Sequence, residues 1–162
     1  MKKQSILLFS IITALGYSQK SIDKVLQQLN SNAVPYIYAQ ELSKLSAPII
    51  LDAREQTEFE ISHIKGAIFV GYDKFDIART TQLLTSKTQK IVVYCSLGVR
   101  SERIGEKLLK AGYTNVYNLH GGIFDWKNKG FDVVDSNNVT TQNVHAYSKI
   151  WSKYLTKGNK IY

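Results

Sequence analysis

Hydrophobic and polar positions alternate along this chain in blocks that switch between strand and helix. The clearest block is Ile91-Val92-Val93-Tyr94, four β-favouring residues with no polar alternation. Such a run predicts an interior parallel strand covered on both faces. The next segment, from Arg100 to Lys110, predicts a helix whose apolar stripe is Ile104, Leu108 and Leu109, with Gly112 as the left-handed residue that closes it. Shorter blocks repeat the alternation. Strands are predicted at 35–38, 49–51, 67–70 and 115–117, and helices at 21–29, 39–45, 56–61, 75–84 and 121–127. Strands alternating with helices at this spacing predict an α/β fold: a single domain with a mainly parallel central sheet flanked by helices.

Both ends depart from this alternation. The first residues, Met1-Lys2-Lys3, precede an apolar stretch from Ile6 to Leu15 and then Gly16-Tyr17-Ser18. A basic start, a short apolar core and small residues after it form the pattern of a secretory signal peptide, residues 1–18, cut near Ser18. The stretch falls short of the ~20 apolar residues that span a bilayer. The expected location is therefore periplasmic or secreted. Residues 19–35 read as a helical extension of the domain at 36–134. The last segment, 135–162, begins polar, then places Tyr147, Ile150, Trp151, Tyr154 and Leu155 on one helical face, with Lys149, Lys153 and Lys157 off it. That basic aromatic tail is expected to be a helix docked on its own domain. A helix recruiting a partner or touching a membrane surface is the second reading.

Composition narrows the function classes. Of 162 residues, 44% are hydrophobic and 21% charged, which excludes whole-chain disorder. The net charge is +8, but the basic residues form no stripe or known nucleic-acid motif, so no nucleic-acid partner is expected. One cysteine, Cys95, excludes a disulfide framework, a cysteine zinc site and a CxxC couple within the chain. The three histidines, His63, His120 and His145, have no metal-ligand spacing, and no metal or cofactor is expected.

A lone thiol in an exported chain is either a buried bystander or a reactive group. Cys95 directly follows the strongest strand, so it is expected at the carboxyl edge of the sheet, where open α/β sheets bind ligands. Ser96, Leu97, Gly98 and Val99 form a tight loop behind it, and Arg100 opens the helix. Loop amides, a helix N-terminus and a cation all favour thiolate over thiol. The expected group is a reactive thiolate in an electropositive cup, with Ser96, Leu97, Gly98, Val99 and Arg100 around the substrate. Asp52 and Arg54 end the strand at 49–51 and should reach the same edge. Pocket lining or loop support on one side, and a structural ion pair on the other, are equally open for them.

The segment Cys95-Ser96-Leu97-Gly98-Val99-Arg100 resembles the active-site loop of the rhodanese (thiosulfate sulfurtransferase) family in its single-domain form. Leu51-Asp52-Ala53-Arg54-Glu55, Glu58-Phe59 and His63-Ile64-Lys65-Gly66-Ala67-Ile68 resemble its first signature. Gly112-Tyr113, Val116-Tyr117-Asn118-Leu119, Gly121-Gly122-Ile123 and Trp126 resemble its closing one. The resemblance runs from about Tyr36 to Val134. It implies that a cysteine thiolate takes the outer sulfur of thiosulfate or a similar small anionic donor, releases sulfite, and passes the sulfur from a persulfide to a thiophilic acceptor: cyanide, a small thiol or a protein thiol. Arg100 would hold the sulfonate end of the donor. His63 falls in a segment that implies a structural, hydrogen-bonded histidine. Related phosphatases and arsenate reductases use Cys-x5-Arg, whereas position 101 here is Ser101 and the spacing is Cys-x4-Arg. The resemblance also admits a binding or regulatory module that recruits a partner through the tail.

Overall fold

Strand β4, Ile91–Tyr94, has all four side chains buried, as expected for a strand covered on both faces. Its residues alternate between two cores. Val92 and Tyr94 join one hydrophobic cluster, Ile91 and Val93 the other. The computed structural model describes residues 22–162. The signal peptide expected at 1–18 and Ser21, where the first expected helix starts, lie outside the described residues.

Helix α1 covers residues 22–29. There follow β1 (Tyr36–Ile37), α2 (Ala39–Leu42), β2 (Ile49–Asp52), α3 (Gln56–Ile61), β3 (Ile68–Phe69) and α4 (Ile77–Gln82). After β4 come α5 (Val99–Lys110), β5 (Val116–Leu119) and α6 (Gly122–Asn128). These build a five-stranded sheet in the order β1-β5-β4-β2-β3, with every pairing parallel. The α/β class with a parallel central sheet is thus as the hydrophobic pattern predicted. The chain runs outward from β2 to β3, returns to β4 on the opposite side of β2, and continues to β5. The crevice between β2 and β4 is therefore the switch point, and Cys95 is the first residue beyond β4.

Helix α5 buries Ile104 and Leu108, with Leu109 packed at the edge of the second core. Its end is a Schellman motif. Gly112 takes φ +89°, its N–H donates to Leu109 O at 2.9 Å, and the Tyr113 N–H donates to Leu108 O at 3.2 Å.

The C-terminal segment corrects the helix expected there. Strands β6 (Val133–Val134) and β7 (Thr140–Thr141) pair antiparallel, and β8 (Asn143–His145) pairs parallel with β9 (Asn159–Ile161). Between them only Trp151–Tyr154 is helical, as one 3₁₀ turn. Tyr147 has φ +63°, which no α-helix contains. Of the five residues at helical spacing, Tyr154 and Leu155 are buried and Ile150 is 73% exposed. Pairing of β8 with β9 dictates the backbone here, and it buries Val144 and Ala146 in the first core beside Ile22, Leu26 and Leu155. Docking on its own domain stands; the helix does not.

Candidate active site

The buried strand β4 ends at Tyr94, and the next four residues turn the chain back into α5. Gly98 makes that turn possible with φ +118°, a conformation open to glycine alone among ordinary residues. Its N–H donates to the Cys95 Sγ at 3.1 Å. The loop's outer carbonyls are held from behind by the start of α6, where the Ile123 N–H donates to Cys95 O at 2.9 Å and the Phe124 N–H to Ser96 O at 3.2 Å. This needs very close backbone approach: a Cβ on Gly122 would stand 2.2 Å from Cys95 O.

A polar scaffold fixes the floor of the cup. Asn118, buried on β5, donates from Nδ2 to Gly98 O at 2.8 Å and to Glu102 Oε2 at 3.0 Å. Asn30 donates to the same Gly98 carbonyl at 2.9 Å. Ser101 Oγ donates to Asn118 Oδ1 at 2.7 Å and lies 3.5 Å from Sγ.

Cys95 is 2% exposed. Burial pushes its thiol pKa up, but the Arg100 charge, the Ser101 hydroxyl and N–H, and the Gly98 N–H outweigh burial and hold it below the ordinary value. Arg100 is itself clamped. Its Nη1 and Nη2 reach the two carboxylate oxygens of Glu58 at 2.7 and 2.8 Å, and Nη2 also donates to Ser96 Oγ at 3.0 Å. Ser96 Oγ donates in turn to Glu58 Oε1 at 3.1 Å. Burial raises the Glu58 pKa, yet the bonds and charge of Arg100, with the Glu55 N–H, hold it below the usual carboxylate range, so the pair is ionic.

Above the sulfur lies an open cavity of about 120 Å³. Cys95, Ser96, Leu97, Val99 and Arg100 form its base. The rim comes from elsewhere in the chain: Leu29 at the end of α1, and Tyr147 and Trp151 from the C-terminal segment. The Tyr147 ring stacks on Arg100, with Cζ 4.8 Å from the ring centroid.

The expected loop residues Cys95, Ser96, Leu97, Gly98, Val99 and Arg100 are thus brought together. Asp52 and Arg54 are not part of the pocket, which corrects the substrate-binding, pocket-lining reading left open for them; the ion pair is what forms. Both are fully buried and paired, with Arg54 Nη2 2.7 Å from Asp52 Oδ2. Arg54 also donates to Ser62 O at 2.6 Å, and the Tyr94 hydroxyl donates to Asp52. With the Arg54 N–H also donating to Asp52 Oδ1 at 3.0 Å, the ion pair ties the loop after β2 to the segment that follows α3. His63 donates from Nδ1 to Phe59 O at 3.0 Å and stacks on that ring, and His120 contacts Asp23 at 2.8 Å. Among the described residues no group of three or more His, Cys, Asp or Glu side chains could hold a metal ion. The residues that sequence reasoning missed are the partners reached across the fold: Ser101 and Asn118 beneath the sulfur, Leu29, Tyr147 and Trp151 at the rim, and Glu58 as the clamp on Arg100. Only Ser101 carried a local signal, being one helical turn along from the loop.

Comparison with known proteins fits this geometry. The family model for the rhodanese-like domain matches residues 36–129, more than half of the chain. The chain belongs to the rhodanese-like domain family. Among curated relatives, tRNA uridine(34) hydroxylases from Bacillus cereus (strain Q1) and Bacillus thuringiensis (strain Al Hakam) are each 38% identical over 88 residues. That match covers 51% of this chain and 27% of the relative, so the chain spans about a quarter of their length. A rhodanese-related protein from Thermoplasma volcanium aligns at 29% identity and TM-score 0.53, over 62% of this chain and 97% of that one. A thiosulfate sulfurtransferase from Pseudomonas aeruginosa shares the rhodanese-like fold at 24% identity and TM-score 0.60, over 85% of this chain and 26% of its own. The rim residues Leu29, Tyr147 and Trp151 all lie outside the stretch that matches the rhodanese-like family model.

Proposed function

We propose that this protein is a sulfurtransferase: it moves sulfane sulfur from thiosulfate or a similar donor to a thiophilic acceptor through a persulfide on Cys95. The observation that carries this reading is the environment of Sγ, an acidified sulfur that accepts the Gly98 N–H at 3.1 Å at the base of an open pocket. The thiolate attacks the outer sulfur of thiosulfate. The new Sγ–S bond forms as the old S–S bond breaks, and sulfite leaves with the bonding pair. Cyanide, a small thiol or a protein thiol then takes the terminal sulfur and restores the thiolate. Two half-reactions through one covalent intermediate give ping-pong kinetics. The amide that holds the thiolate is also placed to stabilise the persulfide anion. The export pattern at 1–18 extends the proposal to a periplasmic or secreted site of action.

Intact-mass measurement after incubation with thiosulfate tests the reading. A one-sulfur adduct that cyanide removes as thiocyanate is the expected result, absent from Cys95→Ser. No adduct, or an equal adduct on Cys95→Ser, overturns it. The module reading has less to stand on, because Tyr154 and Leu155 of the proposed recruiting face are buried in the domain's own core.

A further inference from the structure

The base of the pocket comes from the loop between β4 and α5 inside the rhodanese-like domain, whereas its rim comes from the two flanking segments. We propose that Leu29, Tyr147 and Trp151 form a specificity rim that selects small organic sulfane-sulfur donors carrying an apolar group. The proposal rests on the sulfur-transfer reading and names the substrate class of the same site.

Three observations carry it. First, the rim is apolar and aromatic, and the cavity of about 120 Å³ is comparable in size to the ~150 Å³ apolar cavity that takes up benzene. Second, the charge at the pocket is partly offset. The ionised Glu58 takes two of the five guanidinium N–H donors of Arg100, and Ser96 Oγ takes a third. Inorganic thiosulfate offers nothing to the apolar rim, while a monoanion with an apolar tail finds a ring-sized space. Third, Tyr147 is held in place against its backbone preference. Its φ is +63°, its N–H donates to His145 Nδ1 at 3.1 Å, and its ring lies on Arg100. Such conformations persist where surrounding contacts over-determine them, as they do at ligand-binding sites.

The chemistry balances for a thiosulfonate. The Cys95 thiolate attacks the terminal sulfur of R–SO₂–S⁻, the Sγ–S bond forms, and the bond to the sulfonyl sulfur breaks. The electron pair leaves with the sulfinate R–SO₂⁻. No proton moves and no outside oxidant or reductant takes part.

The test compares benzenethiosulfonate with methanethiosulfonate, which has the same reacting group and charge but no ring, and with inorganic thiosulfate. Single-turnover loading of the full chain gives kcat/KM for each donor in wild type, Tyr147→Ala and Trp151→Ala. The benzene-to-methane ratio is expected to fall about three- to tenfold in each variant, mainly through KM for the aryl donor. Comparing ratios between wild type and variant cancels the intrinsic reactivity of the donors. A merely structural role lowers all three donors alike and leaves the ratio unchanged, which overturns the proposal. Tyr147 is 48% exposed, so its variant keeps the test alive if Trp151→Ala fails to fold. Loading by no donor sinks the sulfur-transfer reading itself; loading without discrimination sinks only the rim.

Discussion

One sulfur atom sets the chemistry, and its neighbours act on it in opposite directions. Burial disfavours the Cys95 thiolate, while the Arg100 charge and the donors from Ser101 and Gly98 favour it and prevail. Replacing Arg100→Gln removes the charge and strips the buried Glu58 carboxylate of its partner, so both changes raise the thiol pKa. The pH profile for alkylation of Cys95 by iodoacetamide is expected to move to higher pH, and an unmoved profile would show that the amides alone suffice. The same shift links folding to pH. A group whose folded pKa is depressed adds stability that is fully present above its unfolded value, ~8.5 for a thiol, and lost as pH falls through the folded value. Wild type should therefore gain stability relative to Cys95→Ser as pH rises toward that value. Urea unfolding of both proteins across the range checks the sign, and a constant difference would contradict an acidified thiol.

At the scale of elements, the active loop is shaped as much by α6 as by α5. The amides that open α6 tie down the Cys95 and Ser96 carbonyls, and this contact has no room for a side chain at Gly122. Gly122→Ala would drive a methyl group into Cys95 O and force a φ of +54° on alanine. A stability loss of at least ~1–3 kcal/mol is expected, together with slower alkylation of Cys95, because the loop must shift to relieve the clash. Chemical denaturation and thiol-reaction rates read the two effects separately. The elements easiest to read from the sequence were those whose signal is local. Four apolar residues foretold β4, and the stripe of Ile104 and Leu108 with Gly112 after it foretold α5 and its cap. What escaped was contact between distant positions. Glu58 meets Arg100 across 42 residues and Asn118 meets Gly98 across 20, and no period or motif spacing encodes such a meeting. The tail misled for a different reason. Its aromatic residues happen to recur at helical spacing, but strand pairing at Asn143–His145 and the left-handed turn at Tyr147 set the backbone instead. Asp52 and Arg54 end at the correct sheet edge, yet each satisfies the other's charge, which leaves them buried rather than facing a substrate.

Across the whole molecule, the two flanking segments join α6 in the core that covers one face of the sheet. Leu155 and Val144 from the C-terminal segment pack in the same core as Ile22 and Leu26 of α1 and Phe124 of α6, a core that also holds Leu97 from the loop that bears Cys95. The segment is held by polar contacts too: the buried Asn128 of α6 donates to Tyr154 O at 2.7 Å and accepts the Thr156 N–H at 2.7 Å. If the flanks are structural partners of the domain, truncating a side chain in the tail must weaken the entire fold. Leu155 is fully buried, so Leu155→Ala should cost ~2–5 kcal/mol, the range for a cavity left in a packed core. The loss should appear as one earlier cooperative transition, reported together by far-UV circular dichroism from the helices and by tryptophan fluorescence from Trp126 and Trp151. An appendage would behave otherwise: the main transition would keep its midpoint, and only a minor early phase would change. Because the same segment carries Tyr147 and Trp151 to the pocket, coincident transitions would also mean that the rim and the sulfur-bearing loop are ordered by a single folding event.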